Sequence, residues 1–413
     1  MPARLLKTLS KEIAPAVTAI FRQSIASGEL PNDWKKAWIT PVYKKGNCND
    51  PANYRPVSLT CIVCKLLEHV LCTHIRAHLD RHGILTPIQH GFRSGHSTES
   101  QLLLTTHELL KERDAGKQVD VVILDFSKAF DTVPHKRLLG KLELYGINGN
   151  ILRWISGFLT SRKQSVVVDG SKSEEADVIS GVPQGTVLGP LLFLMHINDL
   201  PDSLHHETRC RLFADDSLIY RVINSISDQI QLQKDLLSLE EWAATWGMSF
   251  NASKCHVMTI ARRKTPKSYM YQLCGTFLSC VTQEKYLGVL ISDDLSWAPH
   301  INTVVTKSSQ KLGFLKRNLK GSPVELKRMA YVSIVRSSLE YASTVWDPGQ
   351  VNHKSLLERV QRRAARWIKS DYDRYASVTT MLQSLGLETL EERRRMSRLA
   401  FLYKVLHEEV AVP

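Results

Sequence analysis

A chain of 413 residues, 43% hydrophobic and 23% charged, has the composition of a globular protein rather than a disordered one, and its length suggests two or three domains. Its 54 Lys and Arg exceed its 41 Asp and Glu, a formal charge of +13 that favours a polyanionic partner, either nucleic acid or an anionic membrane surface. No run of about 18 apolar residues could cross a bilayer and no signal peptide opens the sequence. An intracellular, thiol-reduced protein of the nucleus or cytoplasm is expected.

In chain order, residues 3–27 have helical apolar spacing, with Leu5, Leu6, Leu9, Ile13, Val17 and Ile20 on one face. Residues 34–60 read as a strand, a polar basic loop and an ordered connection. Cys61 and Cys64 have metal-ligand spacing, but no second pair follows and they lie in the apolar run SLTCIVCKLLEHVL, so they read as small core residues. Helical spacing returns at 61–82 and 98–114. The segment 119–126, VDVVILDF, is apolar on both faces, as in the centre of a sheet. Helices are expected from near Ser127, at 134–144 and at 151–160, then an edge strand at 165–169, a Gly/Pro-rich loop at 180–190 and an apolar helix at 190–200. Residues 210–223 read as two short strands, 227–247 as a helix, 255–261 as a strand and 269–291 as a further strand pair. Beyond about residue 300 the chain is helical and basic, with WDPGQVN at 346–352 as an internal boundary.

The chemistry gathers on three acids. The strand at 119–126 carries Asp125 at its end, and about 90 residues later a tight strand–turn–strand carries Asp215 and Asp216. Two adjacent like charges make a poor turn unless something neutralises them. Their flanks, Leu212-Phe213-Ala214 and Ser217-Leu218-Ile219, place them at the rim of a core. Magnesium takes carboxylate oxygens together with substrate phosphates, and a two-metal site serves an in-line displacement.

The order of motifs resembles the reverse transcriptases of non-long-terminal-repeat (LINE-type) retrotransposons, particularly the jockey-like and chicken-repeat-like groups, of which this would be the carboxy-terminal polymerase portion. The motifs are NYRPVSLT (53–60), QHGFRSGHST (89–98), LDFSKAFDTVPH (124–135), GVPQGTVLGPLLF (181–193), FADDSLIY (213–220), WGMSFNASKCHVM (246–258) and KYLGVLIS (285–292). The resemblance implies an α/β (α+β) right-hand fold: an amino-terminal helical extension (1–40), fingers (41–118), an antiparallel-sheet palm (119–291), a helical thumb (292–345) and a basic helical carboxy-terminal region (346–413). It implies an RNA-directed DNA polymerase that uses two Mg2+ ions, or Mn2+ in their place. An RNA template, a DNA primer, deoxynucleoside triphosphates and element RNA would be its partners, with no membrane.

By the same resemblance the metals fall to Asp125, the Phe126 carbonyl, Asp215 and Asp216. Phe130 becomes the gate that crowds a ribose 2′-hydroxyl. Gln184 and Gly185 line the incoming nucleotide, as does Gly181. Lys44 and Arg55, with Arg93 as a weaker candidate, grip triphosphate, and Lys254 protonates departing pyrophosphate. Tyr286-Leu287-Gly288 becomes the primer grip. Asp131 reads as structural, Asp293 and Asp294 as surface acids, and Thr186 stands where Ser is common. Elements of this kind usually encode an endonuclease ahead of the polymerase, so the chain reads as a fragment of a longer frame or as a gene model of a decayed copy. The competing expectations are a non-catalytic nucleic-acid-binding remnant of a retroelement and an intron maturase.

Overall fold

The computed structural model describes residues 3–262 and 266–412. Its centre is a five-stranded sheet. β1 (Lys36–Tyr43) and β2 (Tyr54–Leu59) lie outside it; β3 (Gln118–Leu124) is its middle strand. β4 (Arg162–Val168), β5 (Ser171–Lys172) and β6 (Ala176–Val178) join β1 and β2 in a second sheet. β7 (Arg209–Phe213), β8 (Asp216–Ile223), β9 (His256–Ile260), the short hairpin β10 (Gln272–Leu273) and β11 (Thr276–Phe277), and β12 (Ser279–Cys280) follow. The central sheet runs β12-β9-β3-β8-β7, antiparallel throughout except where β12 meets β9. β13 (Gln283–Tyr286) and β14 (Val289–Ser292) form a separate hairpin.

The apolar run of β3 is explained by what covers its two faces. Val122 and Leu124, with Ile219 and Val257 from the neighbouring strands, pack into the core built with helices Ile62–Arg81 and Leu188–Ile197. Val119 and Val121, with Leu218, Tyr220, Met258 and Ile260, pack into a second core that contains Trp346, Leu357, Val360, Trp367 and Ile368. A period-2 strand buried on both sides shows no polar alternation. The exception is Asp120, fully buried in β3, whose carboxylate accepts from the Tyr271 hydroxyl (2.7 Å) and the Thr259 hydroxyl (3.0 Å). Buried charge persists where such donors satisfy it.

The helices of the carboxy-terminal third share that second core. Ala298–Asn318 packs against Val351–Lys369, and Leu390–Leu406 packs across Ser343–Trp346 and Val351–Lys369. Among the described residues no helix is long and apolar enough to cross a membrane.

Several sequence expectations are corrected. The segment at 165–169 is no edge: β4 pairs in parallel with β1 on one side and antiparallel with β5 and β6 on the other. The connection before residue 60 contains a full strand, β2, whose register Tyr43↔Tyr54 closes the basic loop between it and β1. The first helical segment breaks at Leu9 into Ala3–Thr8 and Ser10–Ser27, and of its six apolar residues only Leu6 is buried. Helical structure after β3 starts at Ala129 rather than Ser127, because Lys128 has left-handed φ (+49°). The predicted pair at 269–291 is two hairpins plus β12. Cys61 and Cys64 carry free thiols, and Cys64 is buried in the first core.

Candidate active site

Strand register brings the three acids together. Leu124 pairs with Ser217, so Asp125, one residue beyond β3, lies beside Asp216 at the start of β8. Phe213 pairs with Asp216, which leaves Ala214-Asp215 as a two-residue turn with Ala214 at φ +53°. Asp216 therefore opens a strand rather than sitting in the turn.

The local electrostatics are those of crowded acids. Asp215 has its carboxyl pushed up first by desolvation and further by Asp125, while Arg55 and Lys44 pull it down. Asp216 keeps solvent access, yet its carboxyl is pushed up to about 6 by desolvation, then by Asp215 and Asp125. Lys44 opens the loop of the β1–β2 hairpin and Arg55 lies in β2, and both are near enough to lower the Asp215 carboxyl. Lys254 Nζ lies 3.5 Å from Asp125 Oδ2, both side chains being well exposed. Asp125 is further fixed by its backbone: its carbonyl accepts from Asn251 N–H (2.7 Å), and its N–H points to the Cys255 thiol at 3.3 Å.

The carboxylates do not form a closed cage. Among the described residues, the group of three whose ligand atoms lie within 4.8 Å of one another is His205, His206 and Glu207. That group is occupied otherwise: Arg221 donates to Glu207 (2.6 Å) and meets His205 Nδ1 (3.2 Å). An open set of acids still suits magnesium, which is held by one or two carboxylates and completed by water and substrate phosphates. The mutual repulsion recorded in Asp215 and Asp216 is what a divalent cation relieves.

Around the acids, Phe126 bridges to Phe250 and stacks on its ring at 4.4 Å. The hydrogen bonds of that bridge run from Ser127 and Asn251, so the Phe126 carbonyl takes no part in it. Phe130 is half-buried, its face stacked on Phe193 (4.2 Å) and its edge met by Phe92 (6.2 Å, 83°). The loop 180–185 is folded against this segment: Val182 N–H donates to the Phe130 carbonyl, and Gln184 Nε2 donates to Asp131 Oδ1 (2.8 Å). Asp131 thus pairs locally, and the Gln184 amide is tied to it. Gly185, at φ +100°, lies where a Cβ would meet the Ser58 carbonyl at 2.7 Å. Such a position admits only glycine without strain.

Other expected residues lie outside the acid cluster. Arg93 donates to the Thr86 carbonyl at 2.7 Å and is half-buried there, holding its own loop. Asp294 accepts from Ser292 and from the Ser296 N–H (2.9 Å), capping a turn. Tyr286 ends β13 and Leu287-Gly288 forms the turn to β14; Tyr341 donates to the Leu287 carbonyl (2.8 Å), and the Tyr286 hydroxyl is pushed up by desolvation and further by Asp216, against a lowering hydrogen bond from Gln101.

Gln89 and Gly91 are contributors that sequence reasoning assigned no role. Buried Gln89 accepts through Oε1 from the N–H groups of Gly91 (2.7 Å) and Ala214 (2.8 Å). It also bridges in parallel to Leu212 of β7. A Cβ on Gly91 would overlap the Ala214 nitrogen. The signal was present in the motif QHGFRSGHST, but nothing in its spacing ties it to a hairpin more than 100 residues away.

The family model described as "Reverse transcriptase (RNA-dependent DNA polymerase)" matches residues 42–291, more than half of the chain. The sequence is 28% identical over 395 residues to "Probable RNA-directed DNA polymerase from transposon X-element" of Drosophila melanogaster, covering 93% of this chain and 43% of that protein. It is 29% identical over 409 residues to "Probable RNA-directed DNA polymerase from transposon BS" of the same organism, covering 94% and 44%. With "RNA-directed DNA polymerase from mobile element jockey" it shares 28% over 380 residues, covering 88% and 41%. The chain thus spans less than half the length of these relatives. Among solved structures, apo telomerase from Candida tropicalis matches 97% of this chain and 68% of that one, with a TM-score of 0.50 at 11% identity, a likeness of fold alone.

Proposed function

Because the chain belongs to the reverse transcriptase (RNA-dependent DNA polymerase) family, we propose that it is the polymerase of a non-long-terminal-repeat retrotransposon, extending a DNA primer on an RNA template with deoxynucleoside triphosphates. The observation that carries this reading is the placement of Asp125, Asp215 and Asp216 at one end of the central sheet, with Lys44 and Arg55 near enough to lower the Asp215 carboxyl.

In this reading, Asp125 and Asp215 would hold two magnesium ions, with Asp216 and the Phe126 carbonyl at their edge, supplying Lewis-acid activation of the primer 3′-hydroxyl and of the leaving oxygen. Lys44 and Arg55 bind the triphosphate and orient it, as cations do for phosphate oxygens. The hydroxyl gives its proton to water and its oxygen attacks the α-phosphorus, the bond to the bridging oxygen breaks, and pyrophosphate leaves. Lys254, beside Asp125, gives a proton to that departing group. Phe130, braced by Phe193 and Phe92, stands against the sugar and disfavours a 2′-hydroxyl. Gly185 lets the backbone of the loop approach the nucleotide.

The test is primer extension on poly(rA)·oligo(dT) with magnesium and dTTP. Template-dependent extension that stops on chelation is expected. Tight binding of the template–primer with no extension by folded protein would leave the non-catalytic remnant as the better description.

A further inference from the structure

The carboxy-terminal helices divide their cations into two sets. On Leu390–Leu406 each arginine meets a carboxylate: Arg393 pairs with Glu340, Arg394 and Arg398 share Asp347, and Arg395 pairs with Glu392. On Val351–Lys369 they do not. Arg359, Arg362 and Arg363 are exposed, and none of them meets a carboxylate within ion-pair distance among the described residues. Both helices belong to one packed unit, so the difference is not one of folding.

The unpaired set also has a shape. Arg359, Arg362, Arg363 and Arg366 line a groove of about 470 Å³ together with Glu358 and Val378. Glu358 does not neutralise them individually: its oxygens accept from the Gln361 side chain (3.0 Å) and from Leu390 N–H (2.9 Å). Arg366 is anchored by donating to the Asp373 carbonyl (2.7 Å). Lys316, on the neighbouring helix, has its pKa lowered by burial and then by Arg363, so a further cation stands near Arg363. The inner side of the helix, Leu357, Val360, Ala364, Trp367 and Ile368, is buried, so the cationic stripe has one orientation only.

Like charges held at close quarters repel, and a solvated helix face ordinarily disperses them or pairs them at i,i+4. We propose that this groove is a phosphodiester-binding site, a second nucleic-acid contact formed by Arg359, Arg362 and Arg363 on the carboxy-terminal helical unit. The proposal concerns binding and does not rest on nucleotidyl transfer by the Asp cluster. Guanidinium forks match phosphate oxygens in a bidentate manner. Contacts of this kind fix position and carry no base preference.

The experiment measures equilibrium affinity across a salt series, in chelator so that catalysis plays no part. The probes are an RNA hairpin, an RNA–DNA hybrid duplex and a single-stranded DNA of equal length. Arg359→Gln/Arg362→Gln/Arg363→Gln is expected to flatten log affinity against log salt by about 0.9 per lost contact on a duplex and about 0.7 on a single strand. At 0.1 M salt that is a loss of about eightfold for one contact and about 500-fold for three on a duplex. The probe whose slope falls by the full amount expected for its own strandedness identifies the nucleic acid seated there. The triple Lys variant keeps the charge and is expected to keep the slope, and Arg395→Gln, which breaks a paired arginine instead, should match the parent chain. Thermal melting checks the fold; if the triple Gln protein does not melt cooperatively, Arg362→Gln alone is read in the same way. An unchanged slope on all three probes in a folded Gln variant, or an equal loss in the Lys variant, overturns the proposal.

Discussion

Replacing Gln89 by Met tests how the acids are held. The side chains are of similar size, so the substitution leaves little cavity and removes only the polar atoms. Oε1 of Gln89 accepts two N–H groups, Gly91 at 2.7 Å and Ala214 at 2.8 Å, and the residue is 2% exposed. Each buried donor left without a partner costs about 1–3 kcal/mol, or roughly 2–6 kcal/mol for the pair. Ala214 already has left-handed backbone at φ +53° and forms the turn with Asp215. The hairpin can escape the penalty by turning Ala214 towards water, which carries Asp215 with it. If only about 2 kcal/mol is expressed as misplacement, the rate of addition falls about 30-fold. The assay pairs single-nucleotide extension at varied Mg2+ with thermal melting. A fall in rate with a higher Mg2+ requirement, larger than the loss of melting temperature explains, is expected. A Met variant with parental melting, rate and Mg2+ dependence would refute the reasoning.

Other consequences follow from the same geometry. Phe130→Val should raise ribonucleotide relative to deoxyribonucleotide incorporation in competition assays; an unchanged ratio in an active enzyme reduces Phe130 to a packing residue. Gly185→Ala should cost about 1–3 kcal/mol of backbone strain and raise the KM for dNTP, because its Cβ meets the Ser58 carbonyl; parental stability and KM would contradict this. Asp216, raised to about 6 from an ordinary 3.8 in the metal-free chain, must lose that proton to hold magnesium, so the magnesium needed for half-maximal activity should rise as pH falls below about 6. The stability sign is the opposite. The folded chain binds this proton more tightly than the unfolded chain, so metal-free protein loses stability as pH rises from about 4 through 6. Magnesium should offset that loss, and Asp216→Asn should reduce both effects to the part that Asp215 contributes; melting curves across pH, with and without magnesium, are the check.

Much of the architecture was legible because it is written in local periodicity. The β3 run, the long helices and the Gly/Pro-rich loop announce themselves in the spacing of apolar residues and breakers. The three acids could be grouped from their strand-end and turn positions, but their convergence was implied by the motif series, since nothing in composition says that the end of β3 meets the start of β8. What stayed hidden is non-local. The parallel pairing of β4 with β1 joins segments more than 100 residues apart and leaves no mark on either. Arg93 looks as free as Arg55 in sequence, yet folds back on Thr86. Gln89 reads as a polar loop residue until its two bonds to backbone are seen. The break at Leu9 has no helix-breaking residue to signal it, and Pro15 lies inside the second helix without ending it.

The most direct measurement of the central claim is the single-turnover rate of one dTMP addition to poly(rA)·oligo(dT) with saturating magnesium, for the parent chain, Asp125→Asn and Asp215→Asn. Lewis-acid stabilisation of several kcal/mol is at stake, which is a rate loss of about a thousandfold or more. The account predicts template-dependent addition by the parent chain and that loss in both variants, with melting and template–primer affinity retained. Addition by either folded variant within about tenfold of the parent rate would contradict the assignment of these carboxylates.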